Sequence, residues 1–287
     1  MDQEHRSVRT RDGLRLDVVR REGGDKTPAF CIHGLTRNAA DFDGVLASLS
    51  ATGRDAYAIS LRGRGRSQYD PNYLNYVPAT YRDDVLEALD QLDLQQAVFI
   101  GTSLGGLTTM LAAQKAPERL AGAVINDVGP ELAVEGITRI AAFVSARAND
   151  DAKPVSSLKD AVAHIREINE HAFPDRDEGF WEVFARRTFA REPSGEWRLA
   201  YDPMIGRALL DAPPTEGLAE AFAALNAIPT LLIRGAISDL LSPEIVEKMR
   251  GLHPHFTYCE VANTGHAPTL EEPEAKTAIE AFLNSID

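Results

Sequence analysis

The pentapeptide Gly101-Thr102-Ser103-Leu104-Gly105 has the form G-x-S-x-G. It stands between the apolar run Ala97-Val98-Phe99-Ile100 and a helix-patterned segment from Leu104 to Gln114 that is ended by Pro117. A serine on so sharp a strand-to-helix turn must adopt a strained backbone, and a side chain at Gly101 or Gly105 would crowd it. Its hydroxyl then stands at the N-terminus of a helix, where the positive end of the dipole favours a developing anion. The chemistry this suits is nucleophilic attack by an activated hydroxyl.

Such a serine needs a base, an acid to orient the base, and donors for an oxyanion. His266, in Asn263-Thr264-Gly265-His266-Ala267-Pro268, follows the last strand-like run and precedes the last helical one. It therefore belongs on a loop at the same sheet edge as Ser103. His5 lies in the polar N-terminus, His164 and His171 in the middle segment, and His253 and His255 before the last strand. Asp239, in Arg234-Gly235-Ala236-Ile237-Ser238-Asp239, is the expected acid because it gives the chain order Ser, Asp, His. Asp127, directly after the run ending at Asn126, is the alternative. The oxyanion hole is expected from the main-chain amide of Leu104 at the helix start and that of Leu35 in His33-Gly34-Leu35-Thr36, where Gly34 permits close approach.

The elements that must position these residues alternate. A hairpin is predicted from Arg6 to Arg20 around Asp12-Gly13, followed by the apolar run Ala29–Ile32 and a helix from Asn38 to about Ser50. Strand-like runs recur at Asp55–Ile59, Ala97–Ile100, Ala121–Asn126, Ile228–Arg234 and Phe256–Val261. Helical patterns recur at Thr80–Leu92, Pro243–Met249 and Pro273–Leu283. Short apolar strands alternating with helices imply a mainly parallel sheet covered on both faces. The segment from Glu131 to about Glu220 breaks the rhythm with helical patterning and several aromatic residues. A long insertion of this kind is expected to be a lid over a pocket; a peripheral helical insertion packing its own small core is the other reading. His33 and Arg37 beside the oxyanion loop, and Trp181 and Arg186 in the insertion, are expected to bind substrate. Arg37, Arg186 and Arg187 could hold a substrate carboxylate or simply pair with the chain's many acids.

The 287 residues, 44% hydrophobic, suffice for a substantial core. A net charge of −13 argues against a nucleic-acid partner. No run of about 18 apolar residues spans a membrane and no apolar leader opens the chain, so a cytoplasmic protein is expected. Cys31 and Cys259 have no metal-ligand spacing and are expected as reduced thiols; neither a metal nor an organic cofactor is called for.

Taken together, the HGLTRN loop, the RGRGRS loop, GTSLGG, SDLLSP and GHAPTLEEPE resemble the α/β-hydrolase superfamily, in motif order and over nearly the whole chain. The resemblance implies an α/β-hydrolase fold, a mainly parallel eight-stranded sheet flanked by helices, with a helical cap inserted between strands 6 and 7. Residues 1–130 and 221–287 would form the core domain and 131–220 the cap. It further implies a carboxylesterase-like serine hydrolase acting on a small-molecule ester or related acyl compound. Lactone opening, C–C cleavage of a vinylogous diketone, and non-catalytic ligand binding are the alternatives. A serine rather than an aspartate at position 103 argues against haloalkane dehalogenase and epoxide hydrolase chemistry.

Overall fold

The computed structural model describes residues 3–148 and 153–287, with side chains of 144–148 excluded, so residues 149–152 of the expected insertion and the first two of the chain lie outside the described residues. The strands of the main sheet are β1 (Glu4–Arg9), β2 (Arg15–Ile32), β3 (Arg54–Ser60), β4 (Ala97–Thr102) and β5 (Leu120–Asn126), then β8 (Thr230–Gly235) and β9 (Thr257–Val261). A separate hairpin, β6 (Phe189–Arg191) with β7 (Trp197–Leu199), lies between β5 and β8 in the chain.

β2 carries two of the expected strands in one. Its first part pairs antiparallel with β1 and β3, with Asp17 opposite Ser60 and Arg20 opposite Tyr57. The chain then bends through Gly23 and Gly24, where a Cβ on Gly23 would sit 2.2 Å from the Arg54 carbonyl oxygen. Its last residues return along β3, with Ala29 beside Ala56 and Ile32 beside Ile59, and pair parallel with β4. Parallel pairing then continues through β4, β5, β8 and β9. Among the described residues, seven strands thus make the eight strand segments of the expected sheet.

Strand residues alternate between two cores, as a sheet covered on both faces requires. Phe99, Ile125 and Leu232 face one core together with α2 (Pro78–Gln91), α3 (Leu104–Lys115), α8 (Leu218–Ala223) and α9 (Pro243–Leu252). Val98, Ile100, Val124 and Ile233 face the other with α1 (Asp43–Ala51) and α10 (Pro273–Leu283).

The insertion holds α4 (Val134–Ala148), α5 (Leu158–Asn169), α6 (Glu178–Thr188) and α7 (Met204–Asp211). Phe173, Phe180, Trp181 and Phe184 cluster inside it with ring centroids 5.1–6.4 Å apart. Main-chain bonds seat it on the sheet's C-terminal edge: Gly65 N–H to Ala200 O at 2.7 Å, and Gly265 N–H to Ala172 O at 2.6 Å. Among the described residues no helix is long and apolar enough to cross a membrane.

Candidate active site

Ser103 sits between β4 and α3 with φ +53°, a region an L-residue rarely adopts. The turn is tight because the helix start lies on the sheet. A Cβ on Gly101 would be 2.4 Å from the Gly105 oxygen, and one on Gly105 1.9 Å from the Ile32 oxygen. The Ser103 N–H donates to Asn126 O at 2.9 Å, which fixes the turn to β5. Leu104 opens α3, so its amide is among those a helix leaves without an internal partner.

His266 Nε2 lies 2.9 Å from Ser103 Oγ, and His266 Nδ1 lies 2.8 Å from Asp127 Oδ2. The acid in contact with the imidazole is therefore Asp127, not the expected Asp239. Asp127 follows β5, is fully buried, and receives the Gly235 N–H at 2.8 Å on Oδ1 and the Ser238 hydroxyl at 2.7 Å on Oδ2. Asp239 turns instead to Arg139 on α4, accepting from Nε at 2.6 Å and Nη2 at 2.8 Å. Partial burial raises the Asp239 carboxyl, but the Arg139 contacts outweigh it and leave the group below the ordinary carboxylate range. The physical reason for the exchange is adjacency. β5 and β8 are neighbouring strands, so the loops at both C-terminal ends reach His266, and either aspartate satisfies the chain order.

The loop of residues 33–37, where the sequence placed an oxyanion donor, is held from several sides. The Leu61 amide donates to His33 Nε2 at 3.0 Å, so Nδ1 carries the proton and donates to Gly34 O at 2.7 Å. Complete burial, reinforced by the Arg64 charge, lowers the His33 pKa to about 3 and keeps the ring neutral. Arg64 Nε donates to Leu35 O at 3.0 Å, and Arg62 pairs with Asp84 at 2.6 Å, so the RGRGRS loop braces its neighbours.

A cavity of about 180 Å³ opens beside Ser103 and His266, its wall including Leu35, Arg37, Ile140, Phe143, Phe173 and Phe184. Of the expected substrate-binding residues, His33 is in the wall but its ring is committed to the loop. Arg37 lies in the wall with its guanidinium bonded to Asp41 and Thr188 and stacked 4.0 Å over Phe184, so it fastens the loop after β2 to α6. Trp181 is 1% exposed within the aromatic cluster and does not reach the cavity. Arg186 points outward and pairs with Glu182 at 2.8 Å, whereas its neighbour Arg187 lines the cavity. Helical phase separates them, since consecutive residues lie about 100° apart on the helix.

Sequence reasoning missed Asn126, Ser238 and Arg139. Asn126 Nδ2 donates to Thr102 Oγ1 at 3.1 Å and to Pro268 O at 2.8 Å, tying the serine turn to the histidine loop. Its place at the end of a buried strand, beside Asp127, was the one available signal. Nothing local marks Ser238 or Arg139.

The sequence profile of the alpha/beta hydrolase family matches residues 29–280. The 3-hydroxybutyrate-oligomer hydrolase of Cupriavidus necator is 32% identical over 253 residues, 85% of this chain and 83% of that protein. Esterase YbfF of Escherichia coli is 28% identical over 263 residues, covering 91% and 94% of the two chains. The crystal structure of an alpha/beta hydrolase from Novosphingobium aromaticivorans superposes with a TM-score of 0.90 at 36% identity, over 98% of each chain.

Proposed function

The chain belongs to the alpha/beta hydrolase family, and on that premise we propose that it hydrolyses a small-molecule carboxylic ester through an acyl-enzyme on Ser103. The observation that carries this is the unbroken relay from Ser103 Oγ to His266 at 2.9 Å and from His266 to Asp127 at 2.8 Å. As Ser103 Oγ attacks the ester carbonyl carbon, its proton passes to His266 Nε2. Asp127 holds Nδ1–H and stabilises the imidazolium. The amides of Leu104 and Leu35 receive the oxyanion, each such donor being worth about 10²–10³ in rate. Collapse breaks the C–O bond, and the alcohol leaves with the proton from His266. Water, deprotonated by the same ring, then attacks the acyl carbonyl and releases the acid and free Ser103.

The cavity is smaller than the about 300–1,000 Å³ common for drug-sized ligands, which favours a short acyl group. The similarity to a 3-hydroxybutyrate-oligomer hydrolase and to an esterase agrees with ester chemistry. No observed feature favours C–C or lactone cleavage over it.

The test is a p-nitrophenyl ester series from acetyl to dodecanoyl, with wild type and Ser103→Ala run in parallel. Turnover of short acyl esters that disappears in Ser103→Ala is expected. Turnover that survives the substitution, or its absence from folded wild type across the series, overturns the reading.

A further inference from the structure

The pocket is opposite in charge to the chain. The sequence has 43 acidic and 30 basic side chains, yet among the described residues the charged side chains lining the cavity beside Ser103 are Arg37, Arg139, Arg187 and one acid, Asp41. Every nitrogen of the Arg37 guanidinium already donates, to Asp41 or to Thr188. The other two, both on the insertion, have donors to spare.

Arg139 meets Asp239 side-on through Nε and Nη2, which leaves both N–H groups of Nη1 without a partner among the described residues. Arg187 meets Glu271 through Nη1 at 2.7 Å, leaving Nε and Nη2 without a partner among the described residues. Glu271 Oε1 has no aligned hydrogen-bond donor among the described residues, so this contact is an ion pair without a directional bond. Asp239 and Glu271 are not among the residues of the cavity wall, and the two-point contact with Asp239 orients the Arg139 guanidinium. A guanidinium carries five N–H donors in a planar fork that matches a carboxylate, and such charge-assisted pairs strengthen where water is partly excluded.

Building on the ester-hydrolase reading, we propose that the substrate ester itself carries a free carboxylate, as an acylated hydroxy acid or a half-ester of a dicarboxylic acid does, and that Arg139 and Arg187 receive it. The rest of the wall, with Ile140, Phe143, Ile165 and Ile168, accommodates the short carbon chain between carboxylate and ester.

Two matched pairs of esters test this. On the acyl side, monoethyl adipate is compared with ethyl hexanoate; on the alcohol side, 3-butanoyloxypropanoate is compared with propyl butanoate. The readout is the ratio of kcat/KM for the charged to the neutral ester, taken within each variant so that any general loss of activity cancels. In wild type the charged ester of at least one pair is expected to lead by about tenfold or more, through KM, as one charged hydrogen-bonded contact supplies. The ratio falls toward one in Arg139→Met and Arg187→Met and is partly kept in the lysine variants. It rises in Asp239→Asn, which removes an anion competing for Arg139. A wild-type ratio at or below one in both pairs, or a ratio unmoved by both methionine substitutions, overturns the proposal. The ester-hydrolase reading then still stands, provided turnover of the neutral esters requires Ser103. If folded protein turns over none of the four esters, both fall.

Discussion

Ser238 Oγ donates to Asp127 Oδ2 at 2.7 Å, and the same oxygen faces the His266 imidazole. The loop after β8, where the acid was expected, therefore supplies donors to an acid that stands on the neighbouring strand. With the Gly235 N–H on Oδ1, the fully buried Asp127 carboxylate has a partner on every side that matters for its orientation. A buried anion needs such company, since an unpaired charge in the interior costs several kcal/mol (about) in desolvation.

Asp127→Asn should lower kcat by about 10⁴, because the amide favours the wrong imidazole tautomer. Asp239→Asn should leave kcat on neutral esters within about tenfold of wild type, its carboxylate being engaged with Arg139. Steady-state kinetics on p-nitrophenyl butyrate separates the two, and the reverse ranking would return the acid's role to Asp239.

Ser238→Ala removes one donor from a buried carboxylate and should cost about 1–3 kcal/mol of stability. It should also lower kcat with little change in KM, as Asp127 loses its fixed orientation. Ser238→Thr, which keeps the hydroxyl, should recover most of the kcat loss. Urea unfolding alongside kinetics on both variants checks this, and an unchanged kcat in Ser238→Ala would show that Gly235 and His266 alone hold the carboxylate.

Gly105→Ala places a Cβ 1.9 Å from the Ile32 carbonyl oxygen, a backbone atom that cannot swing aside. The helix start would have to lift from the sheet, at a cost above about 3 kcal/mol. Loss of soluble protein, or a marked drop in Tm, is expected; a variant as stable as wild type would mean that α3 is not pressed against β2.

His33 makes stability depend on pH in a defined direction. Its folded pKa, about 3, is below the ordinary value of 6.5. The unfolded chain therefore takes up a proton that the folded one refuses. The contribution is fully present above pH 6.5 and is lost as pH falls toward 3, with a slope of up to about 1.4 kcal/mol per pH unit. Carboxylates titrate in the same range, so the informative quantity is a difference. Urea unfolding at pH 6.5 and 4.5 should show wild type losing more stability than His33→Asn, and equal losses would contradict a neutral, buried ring.

What could be read from the sequence was whatever local context determines. Ser103 and its two glycines form a turn that tolerates little else, and His266 follows a strand near the end of the β/α alternation that resumes after the insertion. Strand positions were legible because buried parallel strands are continuous apolar runs. The continuity of β2 was not, since Gly23 and Gly24 look like an ordinary loop until β3 packs beside them. The choice between Asp127 and Asp239 was closed to sequence reasoning because both follow neighbouring strands, β5 and β8, and both satisfy the chain order. Arg186 and Arg187 were equivalent as letters; the phase of α6 sends one outward and the other to the cavity. Trp181 was expected to bind substrate as an aromatic residue of the insertion, and it packs instead into the insertion's own core.

The clamp on Gly34 O has a geometric corollary. A trans peptide is a rigid plate, with its carbonyl and its N–H facing opposite ways. His33 Nδ1–H at 2.7 Å and the Arg37 amide at 3.3 Å grip the carbonyl edge of the plate that joins Gly34 to Leu35. The opposite edge is the Leu35 N–H, so its heading is set when the chain folds. No part of that aim is left for a substrate to impose on arrival.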